Sequence, residues 1–365
     1  LVPGGEPVLV EVSIHVDRPE PPVTMERLRR GVSEIAVSPD GQEIAFVVRG
    51  EVFVTSADFA TTRRISDTPE QERSIEFSPD GRRLVYAGER GGSWNVYYAE
   101  LGEGEEWFYA ATVIDEVEVV ATDEEEFQPR FSPDGEEIAY LAERTILKVK
   151  NLDSGSVRTV LPGRWNYSYA DGDQYYAWSP DGEWFAVQFL SRGRYYAESI
   201  GLVKSDGKSD PIDITNSGYV DFTPEWAMDG GAVIWATDKW GQKNHGSWGG
   251  EDDVMMAFLD RETFDKFKRD KEDRAIEKGR GKKDEKGKKD EEKDEDAEDE
   301  AEEDEDKAPR EIDFDRIEER TVRLTLHSSD LAGWALLPDG TGLIYLARFE
   351  KGFDLWGHDF VEEET

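Results

Sequence analysis

The four residues Ser-Pro-Asp-Gly occur at 38–41, 78–81, 132–135 and 179–182. Ser at the first place, Pro with its fixed φ at the second and Asp at the third are the residues of a type I turn. Gly then supplies the left-handed residue that closes a three-residue hairpin loop. Short apolar stretches flank each copy: Ile35, Ala36 and Val37 precede the first, and Ile44, Phe46 and Val48 follow it with the two-residue period of a half-buried strand. Each copy therefore reads as the tip of a β-hairpin. Worn copies extend the series to EWAMDGGAVIWAT and LLPDGTGLIYLAR.

Spacing turns the hairpins into an array. The turn residues are Asp40 and Gly41, Asp80 and Gly81, Asp134 and Gly135, Asp181 and Gly182, Asp229 and Gly230, and Asp339 and Gly340. Successive Asp residues lie 40, 54, 47, 48 and 110 apart. A repeat of roughly 40 to 50 residues carrying about four strands is the size of one β-propeller blade. The expected fold is all-β, a propeller with blades near 31–72, 73–126, 127–172, 173–221, 222–330 and 331–365, the last lacking its fourth strand. Residues 1–30 then form a linker or closing strand, with VLVEVSIHV at 8–16 alternating as a strand does. Both ends read as cuts within a longer protein.

The long fifth gap holds an insertion. From Arg261 to Arg320 the alternation stops, and 27 acidic and 18 basic side chains leave almost nothing apolar to bury. This segment is expected to be a partly helical or disordered loop on blade five, after which ERTVRLTLHSSD supplies a displaced outer strand. The insertion carries a net charge of only -9 out of -39, so most of the acidity belongs to the propeller. Such a surface repels nucleic acid and anionic membranes, and no apolar run is long enough to span a bilayer. With no cysteine, disulfides and thiolate metal sites are excluded.

Catalytic signatures are scarce. The histidines His15, His245, His327 and His358 stand in no metal-binding spacing, and there is no G-x-S-x-G elbow, P-loop or dinucleotide fingerprint. No catalytic residue, metal or cofactor is expected. Asp171 and Asp173 in YADGDQYY lack the remaining ligands of a calcium loop. The segment least like scaffold is TDKWGQKNHGSWGGEDDVMMAF at 237–258, where Trp240, Asn244, His245, Ser247 and Trp248 sit among glycines. Loops at blade ends line the face of a propeller, so these five are the candidate peptide-contact residues, with packing against the next blade as the alternative. WNYSYADGDQYYAW at 165–178 poses the same choice.

Generic SPDG blades resemble the TolB-type propeller, shared by TolB, prolyl-oligopeptidase-like enzymes and tricorn-type proteases. The stretches GVSEIAVSPDGQEIAFVVRGEVFVTSADFATTRRISDTPEQERSIEFSPDGRRLVYAGERGGSWNVY, YADGDQYYAWSPDGEWFAVQF and KNHGSWGGEDDVMMAF narrow the likeness. Over residues 8 to 360 the chain is similar to the second propeller of bacterial tricorn-like proteases, serine peptidases of the carboxyl-terminal-processing class. The resemblance implies a seven-bladed ring, its seventh blade beyond Thr365, unless the ring has six. It implies a PDZ domain and peptidase core elsewhere in the parent chain, homo-oligomers of that parent, and peptides or unfolded polypeptide as the passing partner. The catalytic residues would lie outside this stretch. The alternatives are a stand-alone TolB-like protein-binding propeller and the propeller of a prolyl-oligopeptidase-like enzyme. The compartment is open between cytoplasm and periplasm.

Overall fold

The computed structural model describes residues 27, 30–193, 197–244, 250–274, 276 and 310–361. Six antiparallel sheets follow one another along the chain, five of four strands and a sixth of three, each strand pairing with its neighbour in sequence. Blade one consists of Val32–Val37, Glu43–Val48, Glu51–Ser56 and Thr62–Arg64. The first strands of the other blades are Glu72–Phe77, Glu126–Phe131, Tyr176–Trp178, Asp221–Ala227 and Asp330–Leu336. These are the inner strands. They touch one another from blade to blade and surround the axis.

Apolar clusters join each blade to the next. Val85, Val96 and Val120 of blade two meet Phe131, Ile138 and Tyr140 of blade three, and Phe127, Leu141 and Val149 meet Tyr176, Phe185 and Val203 of blade four. Similar clusters join blades one to two, four to five and five to six. Most of the core thus lies between sheets, where the alternate residues of two pleated faces interdigitate. Among the described residues no buried cluster links blade six to blade one, and the outward faces there expose Ile35, Val37, Leu346 and Leu355.

The repeated turn closes through its own side chains. In blade one the Ser38 hydroxyl donates to Asp40 Oδ1 at 2.6 Å and accepts the Glu43 N–H at 2.9 Å, while Gly41 N–H donates to the Ser38 carbonyl. The other three Ser-Asp pairs repeat the contact. The four glycines lie at φ +69 to +72°, the left-handed region in which a Cβ is strained. The turns also touch each other. A Cβ on Gly81 would stand 3.8 Å from Pro39, on Gly135 3.5 Å from Pro79, on Gly182 3.9 Å from Pro133 and on Gly230 3.4 Å from Pro180. Proline therefore shapes its own turn and also forms the seat for the next one. In blade five Met228 stands where the proline would be, and its sulfur presses into the space a side chain on Gly340 would need.

The segment 261–320 is less of an excursion than its charge suggests, because both of its ends pack on blade five. Helix α1, Arg261–Phe267, starts from Asp260, whose carboxylate accepts the Thr263 N–H at 2.7 Å. Its Phe264 and Phe267 rings lie 5.2 and 4.9 Å from Phe258. On the return, Arg310 donates to Asp260 at 2.8 Å, and the buried Arg320 donates to the carbonyls of Phe258 and Asp315 at 3.2 and 3.0 Å. The few apolar residues at the two ends are enough to anchor them. Residues 321–323 then pair with Asp253–Phe258 as the outer strand. The tract Asp290 to Asp306 and the segment 8–16 lie outside the described residues.

Candidate functional site

Aligning the six turns places one residue of each inner strand at the same height around the axis, two positions before the turn begins. In chain order these are Ala36, Glu76, Arg130, Ala177, Glu225 and Ala335. Glu76 and Arg130 pair across blades two and three at 3.1 Å, and the second oxygen of Glu76 accepts the Phe131 N–H at 2.7 Å. Glu225 approaches from blade five, close enough for its charge to act on Arg130, yet it forms no ion pair or side-chain hydrogen bond among the described residues. The axial positions thus hold three small and three charged groups, the charged pair Glu76 and Arg130 on adjacent blades.

These side chains keep open surface, 52% for Arg130 and 28% for Glu76, because they face the channel instead of a packed core. Protein nevertheless surrounds them. That burial pushes the Glu76 carboxyl above the usual range against the opposing pull of Arg130 and the Phe131 N–H, and it raises Glu225 against Arg130 alone. For Arg130, burial by itself would lower the guanidinium, but the nearby carboxylates outweigh it and hold it above its ordinary value.

Two residues further back, the inner strands of blades two, three and five share another feature. Ser74, Gln128 and Thr223 occupy the left-handed region at φ +58, +49 and +54°, each inside a register shift of the ladder. The shift in blade two turns successive N–H groups of Ser74 and Ile75 toward Glu34 of blade one, which accepts both. Neighbouring inner strands are in this way tied by carboxylate-to-backbone bonds as well as by packing.

The blade-five loop lies on the opposite face of the ring from the turns, since it joins the second and third strands. Trp240 is 45% exposed, with the Lys239 ammonium 4.7 Å and the Arg323 guanidinium 5.3 Å from its ring. Lys243 donates to Asp238 at 2.6 Å, and Lys243 bridges Gly250 to extend the hairpin. Asn244 is exposed, while His245, Ser247 and Trp248 lie outside the described residues. Below the loop, burial together with the charges of Asp238, Asp330 and Asp253 pushes the Asp252 carboxyl up to about 7, with Lys243 opposing. Asp253 itself is fully buried and accepts from Arg323, Thr325 and Ser328.

The YADGDQYY segment is on the same face. Asp171 accepts from Arg73 of blade two at 2.9 Å and Arg144 of blade three at 2.6 Å, and Asp173 accepts the backbone N–H groups of Tyr169 and Ala170. Arg73 also stacks 3.8 Å from the Trp94 ring. Asp171 ties the loop to the ring, and Asp173 closes a turn within the loop.

No protein-family model matches the sequence, and no curated protein does. Solved structures do. The tricorn protease aligns over 92% of this chain and 31% of its own, with a TM-score of 0.55 at 11% identity. An oligogalacturonate lyase in complex with manganese aligns over 91% of this chain and 75% of its own, at 0.54 and 12%. A putative TolB from Agrobacterium tumefaciens covers 62% of this chain and 77% of its own, at 0.46 and 19%. The fold is a β-propeller, shared over most of this chain with the tricorn protease. This chain spans about a third of the tricorn protease's length. No helix among the described residues of the propeller is long and apolar enough to cross a membrane.

The axial positions Glu76, Arg130 and Glu225 were not among the sequence candidates. Their signal was present, two residues before each turn, but appears only when the turns are superposed and the strands read backward from them.

Proposed function

We propose that this propeller is a non-catalytic filter for unfolded peptides, serving a tricorn-like serine peptidase whose PDZ domain and catalytic core lie outside this sequence. The observation that carries the reading is the composition of the axial ring. Three alanines share it with Glu76, Arg130 and Glu225, a wall that offers charge and hydrogen bonding without a deep apolar pocket at every blade. A wall of that kind passes many sequences and holds few tightly. The alignment with the tricorn protease over 92% of the chain and the quoted sequence stretches support the same reading. In it, Trp240 and Asn244 form an outer contact on the face opposite the turns.

The test is binding of fluorescent, unstructured peptides of 5 to 20 residues, measured by anisotropy beside a folded protein of the same charge. Weak binding of the peptides, exclusion of the folded protein and no cleavage by this chain are expected. Cleavage by the chain itself, or equal binding of the folded protein, would overturn the reading.

A further inference from the structure

Blades two and three show what the axial position does when two adjacent blades cooperate. Glu76 is answered by Arg130, the residue at the same height on the following blade. The corresponding pair on blades five and six is Glu225 and Ala335. The carboxylate is kept, and a methyl group stands where the guanidinium would be. At that place a cavity of about 460 Å³ opens, lined by Glu225 and Ala335 together with Trp226, Met228, Leu336 and Pro338.

The cavity owes its shape to the worn fifth turn. Trp226 is drawn toward blade four, its indole N–H donating to the Ala177 carbonyl at 3.0 Å, and Met228 replaces the proline that fills the same junction elsewhere. The lining is of mixed character: apolar at Trp226, Met228, Leu336 and Pro338, and polar at the exposed carboxylates of Glu225 and Asp229. A partly apolar pocket of this size, with Glu225 held in it without an ion pair, suits a long side chain with an aliphatic stem and a cationic head. No cation of this chain pairs with Glu225 among the described residues.

We propose that this cavity receives a lysine or arginine side chain of a passing peptide, whose charge takes the place at Glu225 that Arg130 occupies at Glu76. The inference rests on the peptide-filter reading and adds the chemistry of what is selected. The stem lies along Trp226 and Leu336, and the chain's net charge of -39 draws the same peptides toward the ring.

The test compares labelled, unstructured ten-residue peptides that differ at one central position, Lys, Arg, Gln or Glu, each beside a leucine. The native chain is expected to bind the Lys and Arg peptides about tenfold more tightly than the Gln peptide, the scale of one charge-assisted contact. Glu225→Gln, nearly isosteric, should cut the Lys and Arg advantage over the Gln peptide to about twofold, the remainder set by the chain's overall negative charge, and leave the Gln peptide unchanged. Ala335→Arg should do the same by supplying the missing cation internally. A native chain without preference, or a preference that survives both variants undiminished, overturns the proposal while leaving the filter intact. Failure of every peptide to bind overturns both. Glu225→Gln alone decides the matter if Ala335→Arg does not fold.

Discussion

Blades two to four and blade five are built from the same repeat, yet they use it differently. In the first group the turn is Ser-Pro-Asp-Gly each time, each glycine sits on the preceding proline, and Glu76 finds its guanidinium on the next blade. Blade five has Ala-Met-Asp-Gly, an anchored insertion, an unanswered carboxylate and a cavity. At the turn and the axial position the regular repeats pair their charged groups, whereas blade five leaves Glu225 without an ion pair among the described residues. The candidates for function are therefore concentrated where the motif is worn.

The strongest way to break the regular region is at a blade junction. Gly207 of blade four lies at φ +71°, and a Cβ there would collide with the Thr159 carbonyl oxygen of blade three. Gly207→Ala is expected to lose about 3 kcal/mol, strain and a displaced backbone together, and to lower Tm by at least 6 °C in a thermal melt. An unchanged Tm would mean that the blades do not hold each other rigidly.

A smaller effect separates the two axial carboxylates. Glu76→Ala strips Arg130 of its partner and the Phe131 N–H of its acceptor and should cost about 1 kcal/mol, whereas Glu225→Ala, which removes no ion pair or hydrogen bond among the described residues, should be neutral in stability. Equal losses from the two, measured by urea unfolding, would remove the contrast between blades two and five.

The third effect depends on pH and belongs to blade five. Asp252 holds its proton to about pH 7, so the folded state carries a proton that the unfolded chain has already released. Stability from this group is therefore full at low pH and is lost as pH rises from the ordinary carboxylate range to about 7. Asp252→Asn, which imitates the protonated form, should match the native chain at pH 4 and exceed it at pH 8. The gain is about 1–2 kcal/mol after allowance for partial exposure, or roughly 2–4 °C in Tm. A constant offset at both pH values would refute it.

Much of the ring could be read from the chain because its key device is local. Ser38, Pro39, Asp40 and Gly41 specify a turn within four residues, and the period of that turn counts the blades. The span 31–72 read for blade one contains its four strands, from Val32–Val37 to Thr62–Arg64. Charge composition hides the few residues of the 261–320 segment, Phe264, Phe267 and Ile317, that fasten its ends to blade five. The meeting of Asp171 with Arg73 and Arg144 could not be anticipated, since it joins residues of three separate repeats. The axial ring was legible in principle, yet neither Glu76 nor Glu225 belongs to a motif of its own.

The contact of each turn glycine with the proline before it has a consequence for how such a chain can change over evolutionary time. A duplicated repeat brings along both halves of its docking surface, a proline facing forward and a glycine facing back, and so fits between its neighbours at once. A point change in either residue breaks compatibility with one neighbour only. Blade number can therefore drift by whole units more readily than any single turn can drift in sequence. Blade five marks where that coupling has been relaxed, with Met228 meeting Gly340.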